Sequence, residues 1–172
     1  MEQKKSNSRK SSNKGKQFEE VIRQSFLKVS GVSIDRLRDA PKKLKNVDNP
    51  SDFIVYKKPH EIYVECKSHK GNTLPFSCIR EEQIKGMSEK ARIEGVKAGI
   101  IVWFIDHDLT VWIPINEAVF WRDIGNKSIN IKNIQDKHTE RIRHIVIQGK
   151  KKRIYFDYDM NKFLEDLYDM PI

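Results

Sequence analysis

The chain reads as an α/β domain, and three features predict it. Two short alternating segments, 52–56 and 61–67, are joined across Pro59, and a wholly apolar run extends from Ala98 to Ile105. Segments with helical spacing stand before and after the alternating pair. At 172 residues, with 33% charged against 38% hydrophobic, the chain holds one modest core and little more.

In order, 1–16 carries Lys4, Lys5, Arg9, Lys10, Lys14 and Lys16 against the single acid Glu2, with Ser and Asn between. Such a segment has almost nothing to bury, so 1–14 is expected to be a disordered basic arm ahead of one domain, 15–172. From Lys16 to Val29, Phe18, Val21, Ile22, Phe26, Leu27 and Val29 recur at helical spacing up to Gly31. A short strand is expected over 33–38, then a loop over 39–51 rich in Lys, Asn and Pro. The paired strands 52–56 and 61–67 follow, then a helix over 80–94 closed by Gly95. The run 98–105 has the look of a strand covered on both faces. Another strand is expected at 109–115 after the turn Asp106-His-Asp108, and a short helix at 116–123. Beyond it, 143–148 and 153–158 are expected to pair as a hairpin across 149–152, with a closing helix over 160–168. The core is assigned to 15–116 and a C-terminal extension to 117–172.

Composition narrows the function. The longest apolar stretch is far short of the roughly 20 residues that a membrane-spanning helix requires. No apolar segment follows the charged start as a secretory signal demands, so a cytoplasmic protein is expected, in the host cytoplasm for a phage-encoded chain. Two cysteines, Cys66 and Cys78, are too few for a disulfide framework. The five histidines show no metal-ligand spacing and are assigned no role. A net charge of +9 and a pI near 9.5 point to a polyanionic partner, and the charge is clustered.

The chemistry concentrates where the strands pair. Strand alternation puts Glu61, Tyr63, Glu65 and Lys67 on one face and Ile62, Val64 and Cys66 on the other. A carboxylate and an ammonium side by side on a sheet face need a reason. Antiparallel pairing brings Asp52 of Pro50-Ser-Asp52 towards Glu65, and two carboxylates there make a hard oxygen site suited to Mg²⁺ or Mn²⁺. The Cys66 backbone carbonyl is a further candidate ligand, and Glu19 on the first helix could complete the site. Lys67 then stands ready to position or help deprotonate an attacking water, the requirement of phosphodiester hydrolysis.

This order of elements and the motif P-S-D…E-C-K resemble the PD-(D/E)XK nuclease superfamily, with its αβββαβ restriction-endonuclease-like core and mixed central sheet flanked by helices. Gly15-Lys-Gln-Phe-Glu19-Glu20 resembles the G-K-x-F-E-E opening of RecU-type Holliday-junction resolvases. Lys67 through Gln83 resembles their segment from the motif lysine to the helix bearing Q-I, and Trp112-Ile-Pro114 resembles the strand leading into I-P that Hjc-type resolvases share. The resemblance covers about 15–116. It implies a Mg²⁺-dependent endonuclease, with Mn²⁺ as substitute, that resolves four-way junctions in recombination or repair and works as a homodimer on branched double-stranded DNA. A PD-(D/E)XK enzyme on other DNA, or a DNA-binding protein without hydrolysis on this fold, are the alternatives.

Residue by residue, Glu19, Asp52, Glu65 and Lys67 fall on the family's acidic and lysine positions and Gln83 on its helix glutamine, with Glu20 as the neighbour that replaces Glu19 under a one-residue shift of register. DNA contacts are expected from Lys14, Lys16, Lys42, Lys43, Lys45, Arg80, Lys150, Lys151 and Lys152. Phe120 and Trp121 are expected first to pack in the core, with a dimer interface as the other reading. The stalk that RecU-type enzymes carry between the first two strands is shortened or absent here, because only 39–51 separates them. From about Arg122 on, no family motif is recognisable.

Overall fold

Helix α1, Glu2–Phe26, buries Phe18, Ile22 and Phe26, one residue per turn on a single stripe. The structure, a computed structural model, describes residues 2–37, 49–135 and 141–170, with side chains from residue 14 onward. Lys42, Lys43, Lys45 and His138 lie outside the described residues. The helical backbone begins at Glu2, so the basic arm that composition marks as disordered prolongs α1. The packed half supplies the costly nucleus from which the helix extends.

Three strands follow as an antiparallel meander, β1 Ser33–Arg36, β2 Phe53–Lys57 and β3 His60–His69. The β2–β3 turn contains a cis peptide bond before Pro59. A small strand β4, Thr73–Pro75, and a 3-10 turn at Phe76–Cys78 lead to α2, Glu81–Lys90. Strand β5, Val96–Phe104, returns parallel to β3, and β6, Leu109–Pro114, runs antiparallel to β5. Then come α3, Ile115–Asp123, β7, Ser128–Asn130, α4, Lys132–Gln135, β8, Ile145–Val146, β9, Gly149–Lys151, β10, Phe156–Tyr158, and α5, Met160–Asp169. The central mixed sheet has the order β1-β2-β3-β5-β6-β8, with two-stranded β4–β7 and β9–β10 sheets beside it.

Its two faces are both covered. Ile62, Val64, Cys66, Ile101 and Trp103 pack against α1 and against Phe163, Leu164 and Leu167 of α5. Tyr63, Ile100 and Val102 pack against Ile84 and Met87 of α2 and Ile115, Ala118 and Trp121 of α3. The alternation read in 61–67 is therefore the real division of β3 between two cores. The αβββαβ order predicted from the sequence is present, and no helix among the described residues is long and apolar enough to cross a membrane.

One expectation needs correction. The hairpin predicted from 143–148 and 153–158 does not form. Ile145 and Val146 instead pair with Trp112 and Val111 at the open edge of β6, and the hairpin joins 149–151 to 156–158. The edge of β6 offers an unfilled ladder, and Ile145 and Ile147 both bury their side chains by docking there. Gly149 opens β9 under an aromatic lid, since a Cβ on it would meet the Asp157 oxygen and the Tyr158 ring at 3.0 Å. Lys150 and Lys151 are thus strand residues, not a turn. Trp121 lies in the core at 4% exposure and offers no interface, whereas its neighbour Phe120 is 56% exposed.

One glycine fixes how closely β5 and β6 pack. A Cβ on Gly99 would lie 2.5 Å from both the Ile113 carbonyl oxygen and Cζ2 of the Trp112 indole. Gly99→Ala is expected to cost about 3 kcal/mol through this overpacking. For a chain of this size that lowers Tm by roughly 10 °C, measurable by thermal unfolding, with no change in the ligand-free spectroscopic signature of the α/β fold.

Candidate active site

Asp52 stands where β2 begins, and its backbone is tied on both sides. Its carbonyl accepts the Leu37 N–H at 2.9 Å and its own N–H donates to Val64 O at 3.1 Å. With both flanking strands holding it, the side chain has one direction open, across β3, where Oδ2 accepts the Cys66 N–H at 2.8 Å. The carboxylate is thereby placed beside Glu65.

Glu65 is 1% exposed in the middle of the sheet. Lys67, two residues on and on the same face, brings Nζ to within 2.6 Å of Glu65 Oε1. The second oxygen, Oε2, is buried with no hydrogen-bond partner. A buried carboxylate with one unsatisfied oxygen is a costly arrangement that a structural ion pair alone does not explain. Gln83 reaches the site from the first turn of α2, where its Oε1 also accepts the Arg80 N–H at 3.2 Å and caps the helix.

The third acid comes from α1. Glu19 is half-buried, and its Oε2 accepts from Arg36 Nη1 at 2.9 Å. Glu20, by contrast, faces solvent with Arg23 and Gln24 as partners. The Cys66 thiol points into the opposite core, so only the backbone of Cys66 belongs to the site.

Electrostatics show how tightly these groups are gathered. Burial, then the charge of Asp52, pushes the Glu65 carboxyl up to about 7, against the pull of Lys67 and Gln83. Burial raises the Asp52 carboxyl, opposed by the Cys66 N–H and by Lys67, Arg36 and Arg80. Burial and Asp52 together raise that of Glu19, opposed by Arg36 and Lys67. Burial pushes the Cys66 thiol well above its ordinary range, with all three carboxylates adding to the effect.

Asp52 thus interacts with both Glu65 and Glu19, and the charge of Lys67 acts on all three acids. Yet among the described residues no set of three His, Cys, Asp or Glu closes to the geometry that would hold an ion. Each acid is turned to a protein donor instead: Asp52 to the Cys66 N–H, Glu65 to Lys67 and Glu19 to Arg36. The donor chemistry nevertheless fits a hard divalent cation, because two adjacent buried carboxylates carry more negative charge than Lys67 offsets and one oxygen has nothing to bond.

Arg36 is the site residue that sequence reasoning missed. It lies in an alternating segment read only as a short strand, and nothing local marks its partner, which is 17 residues away on another element. Of the expected DNA contacts, Lys14, Lys16 and Arg80 are exposed, Arg80 at the start of α2. Lys150, Lys151 and Lys152 are exposed on the β9–β10 hairpin, with Lys151 paired to Asp108 and Lys152 3.8 Å from Asp157.

Residues 13–156 match the family model for Recombination protein U. Among solved structures, Hjc of Archaeoglobus fulgidus, a Holliday junction resolvase from an archaeal hyperthermophile, is similar at 16% identity, with 77% of this chain and 88% of that one covered and a TM-score of 0.46. Comparison with curated proteins gave no match. The family match runs well past Arg122, where recognisable motifs end, and takes in β7 to β9 with the first residue of β10. It spans most of the chain, so this chain belongs to the Recombination protein U family of Holliday-junction resolvases.

Proposed function

We propose that the chain is a divalent-cation-dependent endonuclease that resolves four-way DNA junctions at the site formed by Asp52, Glu65 and Lys67. The observation that carries this reading is the unsatisfied Oε2 of a fully buried Glu65 held beside a second carboxylate. Asp52 and Glu65 would hold the ion, with the Cys66 carbonyl and Glu19 as further oxygens, and Mg²⁺ or its substitute Mn²⁺ suits such donors. When bound, the ion lowers the pKa of water and offsets the charge that builds on the phosphate.

The protein's own part is positioning and charge. Lys67, fixed by Glu65, presents an ammonium at the mouth of the site, where it orients the attacking water and balances the pentavalent charge. Gln83 holds the Glu65 face from the α2 side, so its helix cap and its site role share one side chain. Lys14, Lys16, Arg80 and the β9–β10 lysines supply backbone contacts without reading sequence, which suits an enzyme that recognises branched shape. Two matched nicks across a pseudo-twofold junction call for a homodimer with one site per subunit, and exposed Phe120 on α3 is a surface such a pairing could cover. Acting on DNA, the enzyme works in the cytoplasm.

Nicking is expected to be lost in Asp52→Asn and in Glu65→Gln while junction binding in chelator is retained or tightened, because each change removes an acid that repels phosphate. Cleavage at the native rate by either variant removes this site from the mechanism. Lys67→Ala should slow nicking by about 10² to 10⁴-fold with little effect on binding. A gel assay on a four-way junction, a fork, a linear duplex and a single strand, with Mg²⁺ and with chelator, should show cleavage of the junction first. Equal cleavage of duplex points to another DNA substrate, and tight binding without cleavage points to a DNA-binding role alone.

The raised Glu65 carboxyl has its own signature. Between the ordinary value of 4.5 and about 7 the folded chain keeps a proton that the unfolded chain has lost, so stability falls as pH rises through that window. In chelator, Glu65→Gln should therefore gain on the native protein from pH 5 to pH 8, by about 2 kcal/mol. Parallel stability curves for the two proteins across that range contradict the burial cost assigned to this carboxylate.

A further inference from the structure

Arg36 closes β1 directly across from Phe53, and its guanidinium sits over that ring, 4.9 Å from the centroid. From there Nη1 holds Glu19 at 2.9 Å while Nη2 stands 3.9 Å from Glu20. The next residue, Leu37, donates its N–H to the Asp52 carbonyl, so Arg36 lies one strand away from Asp52, and its charge acts on both Asp52 and Glu19. Its side chain is 36% exposed, against 19% for Glu19. The arginine is open to solvent and the acid is turned inward.

Two features make this pair more than a surface ion bridge. Asp52 and Glu65 provide two carboxylates where Mg²⁺ or Mn²⁺ takes six oxygens, waters included, and among the described residues Glu19 is a further acid whose charge meets that of Asp52, yet Arg36 holds it. A guanidinium fixed over an aromatic ring also presents a planar fork that binds phosphate oxygens as well as it binds a carboxylate.

We infer that Arg36 is a latch that ties completion of the cation site to the arrival of DNA. In the free protein it holds Glu19. When a duplex arm docks, a backbone phosphate takes the guanidinium, and Glu19 turns to join Asp52 and Glu65. Arg36 is the more open partner of the pair, so a phosphate can reach it from solvent and compete for the guanidinium. The inference rests on reading the site as one that holds a divalent cation. Its consequence is that ions alone do not prime the enzyme, because the third carboxylate is released only where phosphate is present.

The test is Mn²⁺ binding to the full chain without DNA, followed by the electron paramagnetic resonance signal of the free ion. Arg36→Gln is expected to raise Mn²⁺ affinity about fivefold, the size that such an ion pair supports. Adding Glu19→Gln to Arg36→Gln should cancel the gain. A gain that survives in the double variant reflects only the lost positive charge and overturns the latch, as does no gain in the single variant. In chelator, Arg36→Gln should weaken junction binding and reduce its dependence on log salt by about one; an unchanged slope overturns the phosphate half of the exchange. Asp52→Asn separates this inference from its premise. Loss of Mn²⁺ binding there, with no gain in Arg36→Gln, sinks the latch and spares the site, whereas native Mn²⁺ binding in Asp52→Asn sinks the site itself.

Discussion

The site depends on one hydrogen bond, from the Cys66 N–H to Asp52 Oδ2. It exists because β2 starts one residue beyond Asp52 and pairs with β3 in the register Phe53 to Val64. A slip of one residue would send Asp52 to the other face and turn Ile62 and Val64 out of their core. Those residues are wholly buried against α1, so the apolar packing that fixes the register also fixes the distance between the two acids. Fold stability and site geometry are thus one constraint. The same packing brings Glu19 in, because it follows Phe18, whose ring lies 5.6 Å from Trp103 at the centre of that core.

Such a placement is expensive. Glu65 sits inside the sheet with Oε1 on Lys67, Oε2 without a partner at hydrogen-bond geometry and the Gln83 side chain beside the carboxylate, and removing two charges from water is seldom fully offset by their attraction. A hydrophobic pair at 65 and 67 would fill the same volume at less cost. Its retention is accounted for by chemistry that needs a carboxylate kept short of partners.

Much of this was legible in the sequence, for identifiable reasons. The alternation at 61–67 reports the two cores because β3 is covered on both sides, and the unbroken apolar run at 98–105 reports the same coverage for β5. Glu65 and Lys67 stood out as charges side by side on a strand face, and Asp52 followed from antiparallel pairing alone. What was not legible depends on contacts remote in sequence. The 145–147 segment alternates as any strand does, and only the vacant edge of β6 decides that it joins the central sheet and displaces the predicted hairpin. Arg36 carries no local sign of its role either, since its bond to Glu19 exists only once α1 lies beside β1.

The charge distribution ties these features to DNA. The chain carries +9 overall, while its buried centre is acidic. A polyanion is therefore drawn to the surface at long range and repelled over the last few ångströms, unless a cation or an arginine intervenes. Arg36 on β1 and Arg80 at the start of α2 approach Asp52 from two sides, and both stabilise its ionised form. If a phosphate enters beside these acids, as the proposed function requires, its attraction to the two arginines is strongest at low salt and fades as counterions compete. On the proposed reading, binding and hydrolysis fall to different charges: basic residues at the surface would gather the substrate regardless of sequence, and the buried acids would set the condition under which the backbone is cut.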